Sequence, residues 1–499
     1  MFRKLLNGYH LTVHNVYRVL DQHSCPSLKS YVRRGGGEAL AIARTLEAPQ
    51  IIDLLGESGL QGRGGAGFHT ATKWQSVLKY ASPSIPTPVI VNAAEGEPST
   101  FKDRAILRNN PYRVLEGALI GCMVMSSEEL IFAMKESFSQ EWIRVETAMN
   151  EMKHDGWFGD LRVRLVAGPS SYLFGEETAL LEVVNSRQPF PRVTPPWRRG
   201  LGEEEAMQLL SATAEMATPS GDGGAPALVN NVETFANVAL IVKNGAQWFR
   251  EVGTETSPGT IVCTVVGDVL RSGVGEYPMG TALDVVINEI SGGPFPGRRL
   301  IGVLPGASSA FLGESCLTTP VSHEAFKAVG SGLGSAGFHC VDDVADPFLL
   351  AHSASRFLSI ESCGQCLPCK EDGLAVTVLL AQLIDGTAPI DVETRIAKRL
   401  GTVVNEARCY LATQQQVVVG SLIKLCNTTT LLPPQFGETP PGELGVVVPL
   451  LDIIDGKAIY DQSHAEKQPD WSFEQTDSGV FPAQRLQAVS LETEPPLTL

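Results

Sequence analysis

Hydrophobic positions along the chain fall into successive regimes. Residues 38–60 carry apolar positions three and four apart and end in a glycine turn. Residues 72–80 have helical character, and Pro83, Pro86 and Pro88 break that pattern. Residues 88–92 (Pro-Val-Ile-Val-Asn) read as a short buried strand running into a polar loop. A helix at 112–125, a strand at 128–134, a helix at 137–153 and a strand at 161–166 follow. This alternation predicts an α/β sheet with mostly parallel strands over residues 1–245.

Residues 258–345 differ. Strand-like runs at 260–266 and 299–304 flank a helix-like stretch at 282–290, with heavy Gly and Pro punctuation. This predicts a small α+β module of roughly 90 residues. Over 346–433 the strand pattern is lost. Apolar residues recur at helical intervals in 376–384, 394–404 and 417–425, which predicts a small helical bundle. Residues 434–499 are rich in Pro and Gly, carry one strand-like run at 445–454 and then turn polar. They read as an extended tail that wraps the core or a partner. No internal repeat interrupts this order.

Composition narrows the function. With 499 residues and 43% hydrophobic content, the chain can fill three or so cores. A net charge of −16 argues against a phosphate-tracking surface, so nucleic acid is not an expected partner. The apolar stretches at 116–125 and 377–384 are too short to cross a bilayer. Residues 1–20 interleave His, Asn, Tyr and Arg where a signal peptide needs a clean apolar block. The expectation is a cytoplasmic protein with no membrane span of its own, meeting a membrane only through partner subunits.

Ten cysteines in a chain this long do not make a disulfide scaffold. Three of them are packed into Cys363-Gly-Gln-Cys366-Leu-Pro-Cys369, and Cys409 lies forty residues on. Thiolates at i, i+3 and i+6 on a tight loop can cap one face of a [4Fe–4S] cubane, and a remote fourth completes it. Zinc is the rival metal, although its sites usually pair two CxxC units or mix Cys with His. Plain buried thiols are the third reading. The other six cysteines are assigned to packing.

Gly62-Arg63-Gly64-Gly65-Ala66-Gly67 precedes a helix and is followed by Lys73. Such a loop lets backbone N–H groups approach a phosphate, and Arg63 and Lys73 offer cation contacts. A tight turn with no ligand is the equal alternative, and the spacing is not the GxGxxG fingerprint. Two acidic motifs follow, Asn92-Ala-Ala-Glu95-Gly-Glu97-Pro98 and Tyr172-Leu-Phe-Gly175-Glu176-Glu177-Thr178. Their carboxylates suit ribose, ribityl or amide groups, or are solvated surface charge. Asn230-Asn231-Val-Glu-Thr234 suits a flavin's polar edge, and helix capping explains it as well.

Taken in order, these motifs resemble the flavoprotein subunit of NADH dehydrogenases of the respiratory complex I type. The same family serves NAD-linked hydrogenases and formate dehydrogenases. The resemblance runs over residues 38–430. It implies a Rossmann-like FMN-binding domain (1–245), a ubiquitin-like SLBB domain (246–345), a helical [4Fe–4S] domain (346–433) and the tail. It implies FMN contacts from Gly62, Gly64, Gly65, Lys73, Asn92, Glu95, Tyr172, Gly175, Glu176, Asn230, Asn231 and Thr234, with Leu411 approaching the flavin. Glu97 and Glu177 would lie near the nicotinamide of NAD(H), and Phe68 and Trp197 near its adenine. Cys363, Cys366, Cys369 and Cys409 would hold the cluster. A thioredoxin-like [2Fe–2S] subunit and further redox subunits are the implied partners.

The chain departs from the family pattern at three places. Ala94 stands where an Asp is usual, Ser76 replaces a common Phe, and extra sequence lies within 198–225. The leading expectation is hydride transfer from NADH to FMN, with single electrons passed on to the cluster and a partner. A flavin and cluster relay fed by another donor is the second reading, and a non-catalytic scaffold the third.

Overall fold

The computed structural model describes residues 15–81, 86–192, 226–428 and 447–469. Strands β1 (Val89–Ala93), β2 (Glu129–Lys135), β3 (Arg162–Gly168) and β4 (Leu228–Asn231) form a parallel sheet in the order β3-β2-β1-β4. The fold is mixed α/β, and this sheet is Rossmann-like. β1 and β2 are nearly continuous apolar runs because helices cover the sheet. Helices Pro111–Met125 and Val232–Asn244 pack against each other. Gly117 permits this, because a Cβ there would lie 1.9 Å from the Phe235 carbonyl oxygen.

The chain runs from β1 outward to β2 and β3, then returns to the other side of β1 as β4. The carboxyl ends of β1 and β4 therefore form a topological switch point, where doubly wound sheets place ligands. Asn92 and Asn231 are paired in register there.

A second sheet holds β5 (Thr260–Gly267), β6 (Gly273–Pro278), β7 (Leu300–Pro305), β8 (Leu312–Gly313) and β9 (Gly337–Asp342). Its order is β6-β5-β9-β7-β8, with β5 and β9 parallel and the other pairs antiparallel. Helix Leu283–Ser291 presents Leu283, Val286, Ile287 and Ile290 to the same buried cluster as this sheet. Helices Pro347–Ile360, Leu367–Ile384 and Val392–Thr402 follow, and then a run from Leu411 to Thr428 containing a π-helical turn at Gln415–Val419.

The hairpin β10 (Leu450–Ile454) and β11 (Lys457–Tyr460) lies back on the first half of the chain. Arg108 grips Asp452 with two bonds of 2.8 and 3.1 Å, and Arg104 donates to the carbonyls of Leu450 and Leu451. β11 has no counterpart in the apolar pattern because its residues are half-exposed.

The stretch 38–60 is two helices, Glu38–Ala43 and Ala48–Ser58. The second starts at a capping box on Glu47, with Pro49 in its first turn. β4, β6, β9 and the helices Lys102–Asn109 and Pro347–Ile360 were not legible as elements. Lys102–Asn109 begins with three buried charges, Lys102, Asp103 and Arg104, so it shows no apolar stripe.

Candidate functional site

The glycine loop lies against the carboxyl end of β4. The Gly62 amide donates to the Phe68 carbonyl at 2.8 Å, and Gln61 bridges His69, which closes the loop at its base. The Arg63 amide donates to Thr234 Oγ1 at 2.9 Å. Gly64 sits over Asn231, whose Cβ would be 3.3 Å from any Cβ added there. Gly65 faces the backbone of Gly334 and Ser335 in the second sheet's domain. Helix Thr70–Lys79 leaves this loop and carries Lys73, which pairs with Glu177.

Arg63 corrects the sequence reading. Its guanidinium turns away from the loop and donates to the carbonyls of Thr260, Gln61 and Pro258, each at 3.2 Å. It is fully buried, 3.9 Å from Glu233. The loop's neighbouring cation is therefore Lys73, not Arg63.

Beneath the loop lies a buried, balanced charge network. Lys102 Nζ contacts Asp103 (2.8 Å), Glu233 (3.0 Å) and Asn231 Oδ1 (3.1 Å). Burial opposes its charge, and the carboxylates of Asp103 and Glu233 outweigh that and hold it protonated. Asn231 Nδ2 donates to Asp103 at 2.7 Å, and Asn231 Oδ1 caps the next helix at the Glu233 amide. Glu95 accepts from the Asp103 amide at 3.0 Å and from Arg104 Nε at 2.8 Å. Buried charges persist only when paired in this way. Glu95, Asn231 and Thr234 thus spend their polar atoms on the protein itself, which fits a supporting role under the loop.

A second constellation centres on the turn Tyr172–Gly175. Asn92 Nδ2 donates to the Gly175 carbonyl at 2.9 Å. Tyr172 donates from its hydroxyl to Glu97 at 2.5 Å and accepts from Gln414 at 2.9 Å. Glu97 also accepts from the Ala307 amide at 2.6 Å. Burial pushes the Glu97 carboxyl up, and the Tyr172 and Ala307 bonds oppose that. Gly306 is required here, because an added Cβ would meet Glu97 Oε1 at 2.3 Å. Glu176 caps helix Glu177–Val184 through the amides of Thr178 and Ala179, and burial raises its carboxyl as well. Two acceptors in these motifs, Asn230 Oδ1 and Glu177 Oε2, are buried with no donor among the described residues. Phe68 is 45% exposed. Trp197, the 198–225 insertion and the polar end of the tail lie outside the described residues. Ala94 is buried in an apolar cluster with Ile90, Phe174 and Leu180, and Ser76 bonds back to the Thr72 carbonyl of its own helix.

The four cysteines of the predicted cluster motif line one cavity, walled by Leu173, Pro191, Leu411 and Ala412. Leu173 comes from the Tyr172 turn, so this turn separates the two constellations. Leu411, expected near the flavin, stands in the cysteine cavity wall. Burial pushes the Cys369 thiol up to about 11 and raises Cys363 and Cys409 as well. The Arg408 amide lies 3.4 Å from Cys366 Sγ, Gln365 Nε2 lies 3.6 Å from Cys363 Sγ, and Ser362 Oγ lies 3.4 Å from Cys369 Sγ. Among the described residues no three His, Cys, Asp or Glu side chains group as a metal-ion site.

Sequence reasoning missed Lys102, Asp103, Glu233 and Gln414. Glu233 stands inside the NNVET motif, and Lys102–Arg104 is a compact charged run. Both signals were on view, but only the fold shows that they are buried together.

Two family models match this chain. Residues 55–240 match the Nuo51 FMN-binding domain, and residues 349–430 match the NADH-ubiquinone oxidoreductase-F iron-sulfur binding region. The second F-type subunit of the NADH-quinone oxidoreductase of Rhizobium meliloti is 36% identical, over 72% of this chain and 82% of that protein. The corresponding protein of Streptomyces coelicolor is 33% identical, over 73% of this chain and 79% of that protein. An NAD+-reducing [NiFe]-hydrogenase in the H2-reduced state superposes with a TM-score of 0.66 at 29% identity, over 81% of this chain. This chain spans 65% of the length of that hydrogenase chain. With its FMN-binding domain and its iron–sulfur region, the chain belongs to the family of NADH-quinone oxidoreductase F subunits, and is an NADH dehydrogenase-type oxidoreductase subunit.

Proposed function

We propose that this chain is the electron-entry subunit of a larger oxidoreductase, reading NADH at the glycine-loop side and delivering electrons through the cysteine side. The observation that carries the reading is the Tyr172–Gly175 turn. Its Tyr172 and Gly175 bond to Glu97, in the loop after β1, and to Asn92, in β1 itself, while its Leu173 forms a wall of the cysteine cavity. Bound FMN would supply two-electron chemistry toward NADH and one-electron chemistry toward a [4Fe–4S] cluster. The chain's own groups hold and orient. Glycine-loop amides and Lys73 would hold the phosphate, and Asn230 Oδ1 and Glu177 Oε2 are buried acceptors that need N–H or O–H donors. A flavin's ring imide and ribityl hydroxyls, and a nicotinamide's carboxamide, are such donors. On the family resemblance Glu97 and Glu177 would serve the nicotinamide side and Phe68 the adenine side. Cys363, Cys366, Cys369 and Cys409 would hold the cluster as thiolates.

The finer architecture belongs to the same proposal. Counted within the second sheet, the strand order is 2-1-5-3-4 with a parallel central pair. That supports the ubiquitin-like SLBB reading of 246–345, between an FMN domain (1–245) and a helical cluster domain (346–433). Leu367 and Tyr410 are each 60% exposed beside the ligand cysteines, which supports docking of a thioredoxin-like [2Fe–2S] partner there. No helix among the described residues is long and apolar enough to cross a membrane. Oxidation of NADH supports a cytoplasmic placement, with any membrane met through the partners.

The deciding experiment is an anaerobic visible spectrum with NADH titration. Bleaching of flavin bands by NADH, then of the iron–sulfur absorbance, is the expected result. Bleaching by dithionite but not by NADH would leave the relay reading, which the apolar setting of Ala94 and the self-bonded Ser76 favour.

A further inference from the structure

Glu361 lies two residues before Cys363, and its carboxylate is buried. Three donors from distant parts of the chain meet it. The Tyr172 amide lies at 2.8 Å, Lys467 Nζ at 2.7 Å and His464 Nε2 at 3.1 Å. The Lys467 ammonium forms a buried ion pair with this carboxylate. Lys467 is itself buried. Lys467 and His464 both belong to the tail, beyond residue 430, where the iron–sulfur family match ends.

The tail is held at this point by more than the ion pair. Arg356 donates to the carbonyls of His464, Ala465 and Lys467 at 2.7–2.8 Å. The His464 ring packs on Phe357, with centroids 5.3 Å apart. Phe357 also meets the Tyr172 ring edge-on at 5.3 Å. From the sheet side, Lys135 at the end of β2 is buried and lies in the field of Glu361, with Nζ donating to the Ser170 carbonyl at 3.1 Å. The carboxylate beside the cysteine loop is thus enclosed by charges that the tail and the first sheet bring to it.

The potential of a cluster follows the net charge and hydrogen bonding around it. In a site of low effective dielectric, one buried charge of either sign is felt strongly. We propose that Lys467, supplied by the tail and acting through Glu361, is a positioning residue that raises the reduction potential of the centre held by the neighbouring cysteine loop. This rests on the reading that those cysteines hold an iron–sulfur cluster. With Lys467 in place, Glu361 fixes the Tyr172 turn to the cysteine loop without leaving a net negative charge against the centre. Without it, the uncompensated carboxylate opposes the incoming electron.

The test is an EPR-monitored redox titration of the full-length protein, with iron and acid-labile sulfide measured on each sample. Lys467→Met is expected to shift the midpoint to lower potential, and Glu361→Gln to higher potential. The double variant should return toward the wild-type value, and Lys467→Arg should stay near it. A purely structural strap would lower stability in the single variants and leave their midpoints in place, and that result overturns the proposal. If Lys467→Met loses its cluster on purification, Glu361→Gln decides alone: a raised midpoint supports the proposal and an unmoved one ends it. Wild-type protein without iron or sulfide would instead overturn the cluster reading on which the proposal stands.

Discussion

The glycine-loop side and the cysteine side are built on opposite principles. Beneath the glycine loop, Lys102, Asp103, Glu233, Glu95, Arg104 and Arg63 are six buried charges with compensating partners. The cysteine cavity is walled mostly by Leu, Pro and Ala, and burial raises the thiols of Cys363, Cys369 and Cys409. On one side the buried charges are paired before any ligand arrives. The other leaves soft ligands neutral in an apolar pocket, so its final charge state comes with the metal. Polar recognition of a flavin needs the first design, and thiolate ligation in a water-poor site needs the second.

The sharpest way to break the comparison is to remove one ligand on the cysteine side. Cys363→Ser and Cys409→Ser should each abolish or severely deplete bound iron and acid-labile sulfide while leaving flavin absorbance in place. Full retention of iron and sulfide in either variant would contradict the ligand assignment. On the other side, Lys102→Met strands two buried carboxylates. It should cost about 3–5 kcal/mol in denaturant unfolding, and flavin should be lost before the cluster. A cost within ~0.5 kcal/mol, the range for surface positions, would mean that the network is not under load.

Acid should separate the two sides as well. His339, in β9, lies with Nδ1 3.3 Å from Ser99 Oγ, in the loop after Glu97, and burial pushes it down to about 4. Its folded pKa lies below the unfolded value near 6.5, so the folded state binds fewer protons through this window. Its stabilising contribution is complete above pH 6.5 and is lost as pH falls toward 4, by about 3 kcal/mol in all. His339→Asn should flatten that part of the stability profile, and an unchanged slope would place the acid sensitivity elsewhere. The smallest stability effect belongs to Leu367, 60% exposed beside the ligands. Leu367→Glu should alter stability by no more than about 0.5 kcal/mol and leave the spectrum intact, yet weaken association with the proposed [2Fe–2S] partner in a pull-down of the co-expressed pair.

The candidate site was legible wherever its chemistry is contiguous. The run Cys363–Cys369 declares a shared ligand loop by spacing alone, and the structure seats all three with Cys409 around one cavity. β1, β2 and β3 were legible as short apolar runs, and in β1 and β2 the run is nearly continuous because both faces are buried. β4 was not, since two of its four residues are Asn230 and Asn231, and its identity as a strand depends on pairing with β1. Arg63 was misread for a similar reason. A cation inside a glycine loop invites a phosphate, but two of its actual partners are carbonyls nearly two hundred residues away in sequence.

The sequence by itself determined the motifs, their order and the elements with a clear apolar period, such as β1, β2 and the helix Pro111–Met125, because periodicity and motif spacing act over a few residues. The tertiary structure alone decided which charges are partners. Lys467 meets Glu361 across 106 residues of chain, and Arg104 and Arg108 meet the tail hairpin across more than 340. A buried charge is tolerated only where the fold delivers its counter-charge, and no local pattern encodes where the chain will bring that partner.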